Sequence, residues 1–239
     1  FSDFSLSHNR EKIKELASGQ LKDEANAWFV GEPFKVFYDY KKEGIWQLGE
    51  EAAAAANGQE PGDIKVQDVD GNGVITTDDR IIYSQRPDVT FGFNNTFNYK
   101  GFDLSVFLYA RLGQWIAYDY NTTYRINALE NGGNVDYWTP ENPTNAFPRP
   151  NKSKSYTQVT YYSTLKYEDG SFFKIRDITL GYTFKPELLK HLNLSRLRVY
   201  ATAKNFFTFS KIDNYDPEQG GSISFPMTKQ LVFGLNVEF

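Results

Sequence analysis

The sequence predicts an all-β protein built from the strands of a large transmembrane antiparallel β-barrel. Three observations carry that expectation. Apolar and polar residues alternate along several segments, each segment is about as long as a tilted bilayer crossing, and short connections take turns with very long ones.

From Val89 the apolar positions are Val89, Phe91, Phe93, Phe97 and Tyr99, with Thr90, Gly92, Asn94, Thr96 and Asn98 between them, giving one greasy and one polar face. Lys100 and Gly101 form a minimal turn. Leu104, Val106, Leu108, Ala110 and Leu112 then continue the apolar set with Ser105 and Arg111 opposite, which completes a hairpin. Ile178, Leu180, Tyr182 and Phe184 alternate with Thr179, Gly181 and Thr183, and Leu197, Val199, Ala201 and Ala203 alternate with Arg198, Thr202 and Lys204. The final segment sets Leu231, Phe233, Leu235, Val237 and Phe239 against Gly234, Asn236 and Glu238. Each is near the roughly 9 to 11 residues that a tilted strand needs to cross a bilayer.

A soluble β-sandwich also alternates. Connection length separates the two architectures. Residues 41–88 and 116–170 are long connections, whereas the turn at Lys100 is minimal and KPELLKHLNLS is brief. Outer-membrane barrels pair short periplasmic turns with long outside loops, and a compact sandwich rarely carries loops of that length.

Composition narrows the chemistry. With no cysteine among 239 residues, a disulfide framework, a thiolate zinc site and a cysteine nucleophile are all excluded. His8 and His191 lie far apart and outside any metal-binding spacing. A net charge of -4 speaks against a nucleic-acid surface. The mean hydropathy of -0.55 argues only against membrane helices, because a barrel strand keeps one polar face. Aromatic residues make up 17 % of the chain, a load that suits interface girdles, ligand stacking or both. The start FSDFSLSHNR, with neither initiator Met nor signal peptide, is the form expected of a mature or processed product.

The stretch DVDGNGVITTDD places Asp68, Asp70 and Asn72 at every second residue, Gly73 at a sharp turn and Asp79 at the close. This is the order of oxygen donors in an EF-hand loop, with the carbonyl of Val74 supplying a further ligand. The expected ion is a structural Ca²⁺ stapling a long loop. A sensor is disfavoured, because Asp79 replaces the longer bidentate Glu and the flanks PGDIKVQ and RIIYSQRP are extended and proline-bounded, without amphipathic helices. An Asp/Asn/Gly-rich turn that binds nothing is the alternative.

Seven blocks, in order, resemble one family: GEPFKVFYDYKKEGIWQ, PGDIKVQDVDGNGVITTDDR, RPDVTFGFNNTFNYKGFDLSVFLYARLG, YWTPENPTNAFPRP, EDGSFFKIRDITLGYTF, LRVYATAKNFFTFSKIDNYDPE and the terminal VFGLNVEF. They resemble the C-terminal barrel region of SusC/RagA-type TonB-dependent outer-membrane transporters, over nearly the whole chain. The resemblance implies a barrel of about 22 strands in the bacterial outer membrane, closed by a plug, energised by TonB, lidded by a SusD-like surface lipoprotein and importing glycan or peptide fragments. About seven strands cannot enclose a channel, so the chain is expected to complete its barrel with remaining strands and a plug, with its outer wall against outer-membrane lipid. In the family the last strand ends at the periplasmic side with an aromatic assembly signal, here Phe239. Counting back from it, 211–228, 116–170 and 41–88 become outer loops, and the acidic loop faces outside.

Within 116–170, Tyr118, Tyr120, Tyr124, Tyr137 and Trp138 are candidate substrate contacts, since aromatic faces stack on sugars or side chains; packing of the loop is the alternative. Arg111, Arg176 and Lys204 are expected to face the lumen, setting its polarity or forming ion pairs across the wall. The chain is not expected to be an enzyme: the adjacent pairs Glu50/Glu51 and Asp78/Asp79 lack the opposed partner a glycosidase needs. A secreted, calcium-stabilised β domain that binds glycans remains the competing function.

Overall fold

A computed structural model describes residues 1–127 and 132–239. In chain order the strands are β1 (Ser2–Ser7), β2 (Lys22–Asp23), β3 (Trp28–Phe29), β4 (Val36–Tyr40), β5 (Lys42–Ile45), β6 (Ile64–Val66), β7 (Arg80–Ser84), β8 (Val89–Tyr99), β9 (Phe102–Leu112), β10 (Trp115–Ala117), β11 (Tyr167–Asp169), β12 (Phe172–Thr183), β13 (Arg196–Ser210) and β14 (Gln230–Glu238). Two short helices, α1 (Glu51–Ala56) and α2 (Pro186–Leu189), sit in connections.

Six of these strands form one antiparallel sheet in the order β1-β8-β9-β12-β13-β14. Its register sorts the side chains into two faces. Leu6, Phe91, Ala110, Phe173 and Phe209 form one unbroken apolar row across five strands, and Phe97, Leu104, Leu180, Ala201 and Phe233 form a parallel one. Among the described residues no second layer covers this face, and Phe233 is 77 % exposed. A self-contained sandwich would bury those side chains, so the soluble alternative fails on this point. Where Asn95 and Ser2 interrupt the apolar face, the Asn95 amide donates to the Ser2 hydroxyl at 2.7 Å, each satisfying the other.

The opposite, inner face carries Asn98, Asp103, Gly181, Tyr200 and Gly234 in one row. Near the other end of the sheet, a bulge between Ile175 and Asp177 meets Asn205, held in the left-handed region at φ 58°. Such a bulge re-aims side chains, and adjacent Arg176 and Asp177 both reach inner-face partners, Glu218 at 3.1 Å and Lys204 at 3.6 Å.

Connections segregate to the two ends. Lys100 and Gly101 (φ 48° and 89°) make the two-residue turn that twisted hairpins favour, and 184–195 holds α2 at the same end. The long connections 8–88, 113–171 and 211–229 leave from the other end. The expected outer loop 41–88 is thus part of a longer excursion beginning after β1, because Ser2–Ser7 pairs with β8. The excursion is also no bare loop: β4 pairs with β7 and β5 with β6 inside it.

The two longest connections pack into one cap. Ile45, Ile64 and Val66 from the first share a buried core with Trp138 and Leu165 from the second. Asn145 seals the seam, its side-chain oxygen accepting from the Ile45 amide at 3.0 Å while its carbonyl accepts from Lys42 Nζ at 2.8 Å. Gly62 (φ 89°) leaves room for Arg149 and Trp138, which a Cβ there would meet within 3 Å.

Candidate functional site

The acidic loop folds as a set of backbone-capping turns between β6 and β7, with strands where an EF-hand has helices. Asp68 Oδ1 accepts from the Gly71 amide at 2.8 Å and Oδ2 from the Gly73 amide at 2.7 Å. Asn72 Oδ1 accepts from the Val74 amide at 2.7 Å, and its Nδ2 donates to Asp70 Oδ2 at 2.8 Å. Asp79 is fully buried and ties the two ends together, accepting from the Val69 and Thr76 amides, each at 2.7 Å. The Thr76 amide is the main influence holding its carboxyl below the usual range, against the opposing effect of burial.

Asp68, Asp70 and Asp79 each offer a carboxylate oxygen, and these lie within 4.8 Å of one another. Three hard anionic oxygens at that spacing fit a Ca²⁺-sized cation. The structure thus brings together the three acidic members of the expected set, while the Asn72 side-chain oxygen accepts from the Val74 amide and leaves the Val74 carbonyl out of that bond. The loop is anchored to the cap by the Ile75 amide, which donates to Asn57 Oδ1 at 3.1 Å at the end of α1.

The five aromatic candidates divide by burial. Tyr124 and Trp138 are buried in the cap: the Tyr124 hydroxyl donates to the Pro148 carbonyl at 2.9 Å, and Trp138 Nε1 donates to Gln47 Oε1 at 2.8 Å. Tyr118 is buried as well, stacked on Tyr120 at 5.9 Å with Tyr215 edge-on at 6.4 Å. Burial pushes its hydroxyl up to about 12. These three side chains hold the loops together, which favours the packing alternative for them. Tyr137 is the exposed member, and Tyr120 is half-buried.

Among the connections lies a cavity of about 320 Å³ whose lining includes Lys42, Trp115, Asn121, Tyr167, Glu168 and Lys211. Burial raises the Glu168 carboxyl above its usual range, and the Asn121 amide donates to it at 2.9 Å. Burial also lowers Lys42. Sequence reading missed these groups, because Lys42 and Glu168 come from different connections and meet only in the cap.

No protein-family model matches the sequence. TonB-dependent receptor P3 of Formosa agariphila is 30 % identical over 273 residues, an alignment covering 99 % of this chain and 26 % of that receptor. TonB-dependent receptor SusC of Bacteroides thetaiotaomicron is 31 % identical over 181 residues, covering 72 % of this chain and 17 % of SusC. The RagAB peptide transporter structure superposes with a TM-score of 0.75 over 100 % of this chain and 27 % of that one, and at 23 % identity this likeness shows the shared fold. The chain belongs to the SusC/RagA-type TonB-dependent receptors, as a C-terminal portion of their barrel. It spans about a quarter of the length of the curated relatives it matches.

On the inner face of this SusC/RagA-type sheet, Lys174, Arg111, Arg176 and Lys204 each have a partner among the described residues. Lys174, absent from the candidates read in the sequence, is 0 % exposed and lies 2.6 Å from both Asp216 and Glu218. Arg111 donates to the Tyr109 hydroxyl at 2.8 Å, and Arg176 lies over the same ring. Phe239, the expected assembly signal, is exposed just past the end of β14. The only sequence hint of the lysine cluster was an isolated charge, Lys174, inside the apolar run SFFKI, and its partners lie far down the chain.

Proposed function

We propose that the chain forms part of an active importer in the bacterial outer membrane, driven by TonB and working with a SusD-like lipoprotein lid on oligosaccharide or oligopeptide cargo. The observation that carries this reading is the six-stranded sheet with an uncovered apolar face, a polar inner face and all its long connections at one end. Lipid tails suit the first face and a water-filled lumen the second. The cap of packed connections is then the outer surface that meets cargo and lid, with the half-buried Tyr120, the exposed Tyr137 and the cavity beside Glu168 as its contact groups. Cells carrying the full-length receptor should accumulate labelled oligosaccharide or peptide in a TonB-dependent way, and lose uptake when the receptor gene is deleted. Equal uptake with and without TonB overturns the reading.

The acidic loop is proposed to hold Ca²⁺ through Asp68, Asp70 and Asp79, with the amide hydrogen bonds shaping the loop and the ion neutralising its crowded carboxylates. A site outside the cell meets calcium at levels that fill even weak sites of roughly 10⁻⁴ to 10⁻³ M affinity. Calorimetry of the intact receptor should show Ca²⁺ binding that Asp70→Ala with Asp79→Ala removes. If the unmodified receptor gives no heat with Ca²⁺, the clasp is discarded.

A further inference from the structure

The connection 211–229 folds back over the inner face of the sheet. Its short helical turn Pro217–Gln219 presents Asp216 and Glu218 to the fully buried Lys174. Arg176, re-aimed inward by the bulge in β12, closes on Glu218 at 3.1 Å, and the Thr208 hydroxyl on β13 donates to Asp216 at 3.0 Å. Beside this contact the segment and β13 together line a cavity of about 510 Å³, in part through Phe206, Asp213, Tyr215 and Lys229. The segment is also attached to the neighbouring connection, where the Asp119 amide donates to the Gly221 carbonyl at 3.0 Å, Tyr215 packs on Tyr118 and Tyr120, and Ile212 is buried with Ile116 and Tyr118; near its far end Asn205 on β13 donates to the Thr228 carbonyl at 3.1 Å.

We infer that Lys174 is a positioning residue, a latch that holds segment 211–229 folded inward over the barrel wall and through it fixes the tyrosine-rich start of the 113–171 connection. The reason is electrostatic. A fully buried ammonium is tolerable only while carboxylates surround it, so Lys174 and the Asp216/Glu218 turn hold each other in one arrangement. Among the described residues, the turn's other contacts to the wall are the half-exposed Arg176, the Thr208 hydroxyl and a long contact from Arg111 Nη1 to the Glu218 carbonyl at 3.5 Å, and none of these is a fully buried charge. A segment tied to the wall at one end and to the cap at the other acts as a strut between them, and whatever displaces it at the barrel mouth shifts both.

This inference needs the barrel fold but no cargo, so it stands or falls separately from the import reading. The test is hydrogen exchange of the full-length receptor in detergent, comparing Lys174→Met and Lys174→Arg with the unmodified protein. Lys174→Met should speed exchange in 211–229 and in 118–123 together by about tenfold or more, while β14 stays protected and Lys174→Arg restores the slow rates. Unchanged exchange in 211–229 overturns the latch, as does failure of Lys174→Arg to restore it, and loosening of 211–229 alone overturns the strut. If Lys174→Met does not assemble, Asp216→Asn with Glu218→Gln leaves the strands intact and carries the same expectations.

Discussion

Asp103 on β9 and Arg198 on β13 join hands across β12, over the bare backbone of Gly181. Arg198 Nε donates to Asp103 Oδ1 at 2.9 Å and Nη2 to the other oxygen, a forked contact that spans three strands. A Cβ at Gly181 would lie 2.5 Å from both partners. We expect Asp103→Ala and Arg198→Ala to lower the temperature at which the receptor loses its folded migration on a gel. The double variant should lose less than the sum, with a coupling of about 1 kcal/mol. Strict additivity removes the bridge from the account of stability.

The apolar face makes a second prediction. Val106 pairs with Ile178 and lies near the middle of its strand on the uncovered side. Val106→Lys should cost roughly 2–4 kcal/mol, the cost of a charge near the bilayer midplane. On the inner face Lys204→Ala breaks a 3.6 Å pair with Asp177 that is partly exposed and should cost about 1 kcal/mol or less. Denaturant titration in lipid vesicles compares the two, and equal costs would mean that the faces are assigned the wrong way round.

In the cap, Trp138 is 4 % exposed and hydrogen-bonded to Gln47. Trp138→Ala should destabilise the cap by about 3–5 kcal/mol while the membrane strands keep their resistance to unfolding. Limited proteolysis would then cut 8–88 and 113–171 at rates that rise together. A rise in only one of them would contradict a shared core.

Asp79 sets a pH limit on the acidic loop. Because its carboxyl sits below the ordinary range, its hold on the Val69 and Thr76 amides is complete above the unfolded value of about 3.9 and is lost as pH falls through the lower folded value. Protection factors of those two amides should be flat from neutral pH to about 4 and collapse below it. Asp79→Ala should abolish them at every pH. Protection that persists in strong acid would assign the closure to other contacts.

Much of the sheet was legible because a two-residue period reports directly on two environments: β8, β9 and β14 sit where alternation placed them, and β13 begins there but runs on to Ser210, past the irregularity at Asn205, the alternation having stopped at Lys204. β12 is longer than its alternation, since the bulge at Arg176 breaks the period and hides Phe172 and Phe173 from it. β1 escaped because SDFSLS acquires meaning only from β8, far along the chain. In the candidate site, local order gave the acidic loop, where neighbouring residues do the work. Lys174, Glu168 and the burial of Trp138 depend on partners brought together by the fold, which no spacing rule records.

The seam through Ile45, Ile64, Trp138 and Leu165 bears on how such receptors diversify. Exchanging one surface excursion with that of a relative would leave half of a hydrophobic interior facing a mismatched stranger. The two are therefore expected to be inherited as a matched cassette, so that divergence between relatives rewrites both stretches or neither.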